Sequence, residues 1–447
     1  MSSQQPKIAA LGKLTLGAEA NYAEEASGGN TKYVKAVSVD VSGLTKEGIE
    51  DVHQRQRDYK TAHIAGPAKG TITTTHYLSG WSGAGAAIAA PPVLSAPLKD
   101  GVGGTIDGFQ LLMSALGSAL GHVHSGGFAN DVNTGTSTTD AVNCTAGSGG
   151  TAFTIGQAVS FIDSDGMAHV NYAKNVTAGT VTLLQTAKAT VRDEAGGGTT
   201  DGRLYGSHTI FQTTGDTYHG LTTACKSYTL TAYGHDSDDK VVAVGCMPTG
   251  VTMSLAVGEL PTMTITWGVS SWSEAGSGGL GDGASVEVFE TAGGDLYPLC
   301  EPFVTGWVTK GATQANPTRI NSVEVDFQIS RPEILDPSFT SGVGGFGPVT
   351  RAPQVSFTVF RDYSEEATDF INQTGKIYSI TMGSQPGKMI NILVPNARVI
   401  DYPARGEENG AVTSNVTIAA NYYDGDTGST PADQSTPIDS DFRIAFA

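Results

Sequence analysis

The sequence predicts a mainly β protein with two copies of one unit, each a β-sandwich or barrel with one flanking helix, and a small β insertion subdomain in the first copy. Three observations support this prediction. The composition, with 58 glycines and only 16% charged residues in a chain of 447, is typical of a protein with many strands and turns. A strand–turn–strand pattern occurs twice. Further matched segments follow in the same order in both halves.

The repeated pattern is a predicted β-hairpin at 226–248 and again at 376–397. Each segment begins with Lys and continues with an alternating strand that contains Tyr228 or Tyr378. A polar turn, HDSDDK or SQPGK, then leads into an apolar run, VVAVGCMP or MINILVPNA. Turn residues between two such runs predict a hairpin. Because other matches accompany it, the recurrence indicates an internal duplication.

A second set of matches lies at a constant offset of 286 residues. Segment 37–51, VSVDVSGLTKEGIED, corresponds at this offset to segment 323–337, VEVDFQISRPEILDP. Beyond the hairpins, and not at this offset, 250–269 parallels 398–422. The matched pairs are Val37 with Val323, Val39 with Val325, Asp40 with Asp326, Glu47 with Glu333, Ile49 with Leu335, and Tyr77 with Tyr363. The hairpins differ by only 150 positions (226 against 376), so the first copy has 136 additional residues before its hairpin.

These offsets predict the domain organisation. Residues 1–32 form an N-terminal arm, 33–275 the first unit, 276–284 a linker and 285–447 the second unit. The additional residues form an insertion subdomain at about 130–215. Within it, 151–187 predicts four short strands with turns at IDSDG and NVTAG, as in a compact barrel.

Each unit has one predicted helix. In the first unit it spans 105–120, with Asp107 as N-cap and apolar residues at Phe109, Leu112, Met113, Leu116 and Leu120. In the second unit it lies within 364–375, with Ser364 as N-cap, Phe370 and Ile371 on the buried face, and Gly375 at C′. Each helix is expected to cover one face of its sheet.

Charge and apolar patterning exclude several classes. A net charge of −18 argues against a protein that grips nucleic acid, because phosphate contacts need Lys and Arg. The sequence is expected to have no signal peptide and no membrane span, since it lacks long uninterrupted apolar windows. The four cysteines, without CxxC spacing, are expected to be free thiols in a cytoplasm-like compartment.

The sequence contains only incomplete motifs for metal binding and phosphate binding. His122 and His124 have no third ligand nearby, and the acidic turns DSDG (163–166) and HDSDD (235–239) lack the full ladder of a calcium loop. GVGGTIDG (101–108) lacks the Lys of a phosphate-binding loop. Two charge pairs, Lys46-Glu47 and Arg331 with Glu333, are either intersubunit partners or solvated loop charges. We therefore predict no enzyme activity, no catalytic or metal-binding residue and no cofactor.

The matched segments resemble bacteriophage tail tube proteins of long, non-contractile tails. The resemblance rests on VDVSGLTKEGIED, KGTITTTHYLSG, a helix, and the hairpin KSYTLTAY…KVVAVGCMPTGVTMSLAVG, with a Gly/Thr-rich insertion at 151–187. It implies a structural virion protein, assembled in the host cytoplasm, whose stacked rings form the conduit for phage DNA. The Gly-rich arm and the 136-residue excess depart from the core fold of that family.

Some tubes of this kind use subunits with two fused copies, which matches the duplication. The resemblance then implies a trimeric ring with pseudo-sixfold symmetry, and the tape measure protein, tail tip or baseplate and tail terminator as further partners. DNA passes through the lumen without specific binding, and an acidic wall suits this because it repels phosphate. Long loops of the family reach the next ring, which here predicts that 42–69 and 328–353 contact an adjacent ring.

Two alternatives stay open. One is another virion component, such as a decoration or tail-tip protein. The other is a carbohydrate-binding β-sandwich adhesin, which would stack sugars on exposed aromatic side chains. Against it, the four tryptophans are scattered along the sequence: Trp81, Trp267, Trp272 and Trp307.

Overall fold

Strands dominate a computed structural model of the chain, which confirms the predicted mainly β class. Twenty strands form one connected, largely antiparallel sheet network, and six more form a separate sheet. The structure describes residues 13–19, 21–26, 31–49, 64–78, 105–106, 111–112, 115–116, 120–122, 129–132, 137–144, 153, 155–177, 179–192, 202–213, 227–233, 240–274, 303–339, 342–347, 352–360, 365–386, 389–401, 406–408, 411–421, 423 and 440–447.

The first half contributes two groups of strands to the large network. The strands before the insertion are β1 (Lys13–Ala18), β2 (Thr31–Lys35), β3 (Ser38–Asp40), β4 (Leu44–Ile49), β5 (Ile64–Tyr77), β6 (Thr105–Ile106) and β7 (Leu120–His122). The six of the insertion are β8 (Ala129–Val132), β9 (Ala141–Asn143), β10 (Ala158–Ile162), β11 (Ala168–Thr177), β12 (Thr180–Leu183) and β13 (Gly202–Gly206). Those after it are β14 (His208–Thr213), β15 (Tyr228–Tyr233), β16 (Lys240–Ala256), β17 (Thr262–Val269) and β18 (Ser271–Glu274).

The second half is shorter and has no described counterpart of the insertion sheet. Its first strands are β19 (Gly306–Lys310), β20 (Thr318–Asp326), β21 (Glu333–Leu335), β22 (Val343–Phe346) and β23 (Gln354–Phe360), followed by the helix α1 (Glu365–Asn372). The remaining strands are β24 (Lys376–Met382), β25 (Ile390–Asp401), β26 (Gly406–Glu408), β27 (Ala411–Ala420) and β28 (Ser440–Phe446).

The same six strand pairings occur in both halves. In the first half, β1 pairs with β15 and β2, β15 with β16, β16 with β17, β17 with β5, and β5 with β3. In the second half, β19 pairs with β24 and β20, β24 with β25, β25 with β27, β27 with β23, and β23 with β20. The single strand β20 thus takes the positions of β2 and β3 together. All of these pairings are antiparallel.

The strand registers refine the sequence matches. Ser38 lies opposite Thr75, whereas Glu324, at the offset of 286, lies opposite Ser356. Thr75 therefore corresponds to Ser356 at an offset of 281. Tyr363, the sequence match of Tyr77, lies outside the described residues. The chain between the two paired strands is shorter in the second half, which a constant offset does not reveal.

The insertion forms a closed six-stranded sheet with its own core. The strand order is β8-β13-β10-β11-β12-β9, and a bridge from Val132 to Cys144 joins the two ends of that order. Val142, Phe161 and Val181 are among its fully buried core residues. Only three strands, not the four predicted, are described within 151–187, with turns at the predicted positions after β10 and β11. We call this unit the insertion barrel.

Two further cores hold the protein together. One cluster of buried side chains runs through both halves, from Leu16 and Trp267 to Phe357 and Ile418. A smaller one joins the insertion barrel to the second half, where Tyr172 and Val170 pack with Leu393 of β25 and other apolar residues. The barrel is therefore inserted in the first half of the sequence but packs on β25 and β28.

The first predicted helix is shorter than 105–120. Residues 111–112 and 115–116 are helical and buried, but Thr105–Ile106 forms β6 and Leu120 begins β7. The predicted N-cap Asp107 and the apolar residues Phe109 and Met113 lie outside the described residues. Strand pairing, β6 with β2 and β7 with β14, replaces helix at both ends.

The second predicted helix exists as α1, but its buried face was predicted wrongly. Phe370 is 39% exposed and Ile371 76% exposed, whereas Asp369 is buried. The Asp369 carboxylate faces inward because Lys376 Nζ lies 2.5 Å away and Tyr378 donates a hydrogen bond to it. The ion pair and the hydrogen bond thus override the apolar pattern.

The helix also ends differently from the prediction. Gln373, not Gly375, is the residue with a left-handed backbone, at φ 51°. Its side-chain amide donates to the Phe370 carbonyl at 2.7 Å and so satisfies one of the free carbonyls of the last turn. The predicted N-cap Ser364 lies outside the described residues.

Three of the predicted connecting segments contain strands. Within 1–32, β1 pairs with β15 and buries Leu14 and Leu16, so this part of the predicted arm belongs to the sheet. Within 42–69, β4 pairs with the first part of β5. Within 328–353, β21 and β22 form a hairpin. The predicted linker 276–284 lies outside the described residues.

Candidate functional site

The two halves meet edge to edge through strands. The second part of β16 pairs with β17 on one side and with β20 on the other, placing Leu255 opposite Val323 and Met253 opposite Val325. All four of these side chains are at most 1% exposed. The sheet therefore continues from one half into the other without a break, and we call this contact the internal junction.

Polar contacts reinforce the internal junction. The buried Arg331 donates from Nε to the Pro248 carbonyl at 2.8 Å, and Lys69 Nζ lies 3.1 Å from the Glu333 carboxylate. Arg331 and Glu333 were possible intersubunit partners in the sequence, but here both contact the first half of the same chain. Lys46 instead lies over the Trp272 ring, with Nζ 4.4 Å from its centroid.

A buried polar cluster joins the insertion barrel to the second half. His169 Nε2 lies 2.7 Å from the Asp163 carboxylate, and His169 Nδ1 lies 3.2 Å from Gln314 Oε1. The Gln314 amide donates to the Val170 carbonyl at 2.8 Å. All three cluster side chains are at most 3% exposed. Since Gln314 lies between β19 and β20, this cluster crosses the boundary between barrel and second half.

The turn that supplies Asp163 was a weak calcium candidate in the sequence. In the structure, one Asp163 oxygen accepts from the amides of Met167 and Asp165, and the other contacts His169. Burial alone would raise the pKa of Asp163, but these hydrogen bonds together hold that pKa below its ordinary value. Both carboxylate oxygens of Asp163 therefore have partners, one in the amides of the turn and the other in His169.

A second polar contact crosses the same boundary. The fully buried Tyr172 donates its hydroxyl hydrogen to Asn391 Oδ1 at 2.8 Å, and Asn391 in turn donates to Ser379 and Thr381. Burial raises the pKa of Tyr172 well above its ordinary value. The Arg443 guanidinium of β28 lies 5.5 Å from the Tyr172 ring centroid. The barrel is therefore held in one orientation by both apolar and polar contacts.

The first half contains a buried carboxylate of its own. Glu19 accepts hydrogen bonds from the hydroxyls of Ser227 and Thr229 and from the amides of Gly245 and Ala23, at 2.6 to 3.0 Å. Burial raises the pKa of Glu19 although these hydrogen bonds oppose the rise. The group ties the chain after β1 to β15 and β16, so its role is in packing.

Among the residues that the structure describes, the other sequence candidates do not assemble into a site. His122 lies in β7, while His124, 235–239 and most of 101–108 lie outside the described residues. Among the residues that are described, no group of three potential metal ligands occurs. Cys144 and Cys246 are buried free thiols, as predicted for them. Trp267 and Trp307 are buried and Trp272 packs against Lys46, so these three offer no open stacking platform for a sugar.

Exposed apolar side chains mark possible contact surfaces. On the β21–β22 hairpin, Ile334 is 49% and Leu335 73% exposed. On β3 and its flank, Val37 is 46% exposed although its match Val323 is 1% exposed. Sequence reasoning matched these residues but missed the difference in burial, because a pattern does not say which edge has a neighbouring strand.

Comparisons with known proteins add no assignment: no family model matches the chain, and no curated protein matches it. None of the described helices has the length and apolar content needed to cross a bilayer.

Proposed function

We propose that the chain is a tail tube subunit of a long, non-contractile phage tail, with two copies of one tube unit fused in tandem. The observation behind this proposal is the internal junction between two halves with the same six strand pairings. A contact between unlike edges of equivalent units can be repeated from chain to chain. When the rotation closes, such a heterologous contact produces a ring.

The predicted stoichiometry follows from the duplication. If each chain occupies two ring positions, three chains form a ring with true threefold and approximate sixfold symmetry. The insertion barrel then marks every second position. We place it on the outside of the tube because an insertion is tolerated at a surface but would obstruct a channel.

The charge of the chain supports a conduit. With 44 acidic and 26 basic residues, strands that face the lumen are expected to be acidic or neutral. Such a wall repels phosphate, so that DNA passes without binding. The further expected partners are the tape measure protein, the tail tip or baseplate and the tail terminator.

Electron microscopy of the purified protein tests this function. We expect stacked rings or long tubes, with three outward lobes in averaged cross-sections. Six identical lobes would contradict the fused arrangement. Particles that remain single at all concentrations would contradict the tube function and favour a decoration or tail-tip role, and reproducible hits on a glycan array would favour the adhesin.

A further inference from the structure

We propose that β3 and the flanking residues Ala36 and Val37 form the acceptor edge for β26 of a second copy of this chain. This inference rests on the proposed function, because it specifies which two edges join neighbouring chains in the ring. The partner strands, their direction and their register all follow from the internal junction.

The acceptor edge is identified by comparing two matched strands. In β20, Val323 and Val325 are almost completely buried because β16 covers them on the side opposite β23. Their matches Val37 and Val39 are 46% exposed and half-buried, respectively. Among the described residues, β3 pairs only with β5. No described strand of the first half therefore occupies, on this edge, the place that β16 occupies in the second half.

The donor edge, β26, follows β25 and takes the place in the second half that the end of β16 has in the first. Both long hairpin strands contain a bulge before they continue along the next strand, between Pro248 and Gly250 in β16 and between Val399 and Asp401 in β25. After the bulge Gly250 pairs with Thr266, and Asp401 pairs with Thr417. Thr266 of β17 and Thr417 of β27 therefore correspond. Residues that pair at equal distances from these two threonines can then be matched between the halves.

The register of the new contact can be derived from this correspondence. Four residues before these two threonines, Thr262 pairs with Ser254, and Thr413 pairs with Gly406. Gly406 thus takes the place of Ser254, and Glu407 that of Leu255. Since Leu255 lies opposite Val323, whose match is Val37, the expected contact is antiparallel, with Glu407 of one chain opposite Val37 of the next.

The properties of both edges fit this contact. Gly406 and Glu407 are exposed, and β26 pairs only with β27 among the described strands. β26 has the sequence Gly-Glu-Glu, and like charges directly opposite each other disfavour a pairing of two β26 strands. Strand edges of this kind pair with other chains unless they are blocked.

A cysteine pair tests the register. In the variant with both Val37→Cys and Glu407→Cys, we expect a short bismaleimide to link chains into dimers and trimers, because residues directly opposite in an antiparallel pair lie within about 6 Å. The two single variants report any contribution of the natural cysteines. The matched control combines Glu407→Cys with Val304→Cys, since Val304 is also exposed (76%) but lies on neither edge.

The outcomes separate this inference from the proposed function. Linked trimers in the Val37 pair and none in the Val304 pair support the contact. If rings form but the Val37 pair links no better than the control, the contact is wrong and the tube function stands. If linking succeeds but only short open oligomers form, the contact stands and the tube function is wrong.

A blocking variant provides an independent readout. Val37→Lys places a charge where a neighbouring strand must pack, so we expect at least a tenfold loss of assembled particles in sedimentation. Val304→Lys serves as control and should assemble normally. The circular dichroism spectrum and melting temperature of both variants should match those of the unmodified chain, because both side chains are exposed. Normal assembly of a folded Val37→Lys variant would overturn the contact.

Discussion

Asp40 and Asp326 end matched strands in the same way. The Asp40 carboxylate accepts a hydrogen bond from the amide of Ser42, and the Asp326 carboxylate accepts one from the amide of Gln328, both at 2.8 Å. Such bonds to the amide two residues later fix a turn. The two halves thus share a local structural device in addition to their strand pairings, which supports the inferred duplication.

Removing this device from the second half should destabilise the protein modestly. We expect Asp326→Ala to lower the free energy of unfolding by about 1 kcal/mol, the usual contribution of one such hydrogen bond. Urea titration followed by circular dichroism measures this. Asp401→Ala, at the exposed end of β25, is the control and should change stability less. Equal effects of the two substitutions would argue against the turn.

The Asp163–His169 contact should be visible in the pH dependence of stability. The folded-state pKa of Asp163 lies below its ordinary value of 3.8, so the stabilisation is complete above that pH and is lost as pH falls through the folded pKa. Asp163→Asn should therefore cost about 1–3 kcal/mol at neutral pH and less below pH ~3.8. Thermal melts from pH 7 to 3 measure this.

The control for that experiment is Asp165→Asn, in the same turn but with an exposed side chain. It should leave the pH profile close to that of the unmodified protein. If Asp163→Asn gave a constant loss of stability across the whole pH range, the ionised carboxylate would not be the stabilising group.

The Tyr172–Asn391 hydrogen bond is expected to hold the insertion barrel against the second half. Tyr172→Phe removes one hydroxyl and leaves Asn391 Oδ1 without that donor, which should cost about 1–3 kcal/mol because the site is buried. Hydrogen exchange should accelerate in β10, β11 and β28. Tyr77→Phe, at an exposed tyrosine, is the control. Unchanged exchange in these strands would contradict a locking role.

The β21–β22 hairpin is the predicted contact to an adjacent ring. We expect Leu335→Glu to leave the subunit folded, because the side chain is 73% exposed, but to yield single rings in place of long tubes. Negative-stain micrographs measure the tube length. Val304→Glu, at an equally exposed valine, is the control. Long tubes from the Leu335 variant would exclude this hairpin from the contact between rings.

Sequence patterns were most informative where they repeat. The alternating strands around Tyr228 and Tyr378 predicted both hairpins, and the structure contains them as β15–β16 and β24–β25. The class of the fold followed from these patterns and from turn chemistry. Local patterns are reliable here because side chains alternate strictly between the two faces of a strand.

Patterns failed where a distant partner decides the local structure. Phe370 and Ile371 have helical apolar spacing, yet Asp369 is buried because Lys376 lies beside it. Similarly, the turn at Asp163 gave no sign of His169 and Gln314, which contact it only after the barrel docks. Contacts between residues far apart in sequence cannot be derived from composition or periodicity in one chain.

The position of β28 constrains the order in which the protein can fold. Every residue of this strand is buried, and it pairs with both β14 and β25, while Ala445 and Ala447 pack against the insertion barrel. β14 is synthesised long before β28, so the edge of β14 that pairs with β28 stays unpaired until that strand has been made. The barrel can fold during synthesis, whereas its contacts with β28 can form only after that strand is made. Pairing of such distant segments is slow, so we expect the unpaired edge of β14 to require protection by a chaperone during expression.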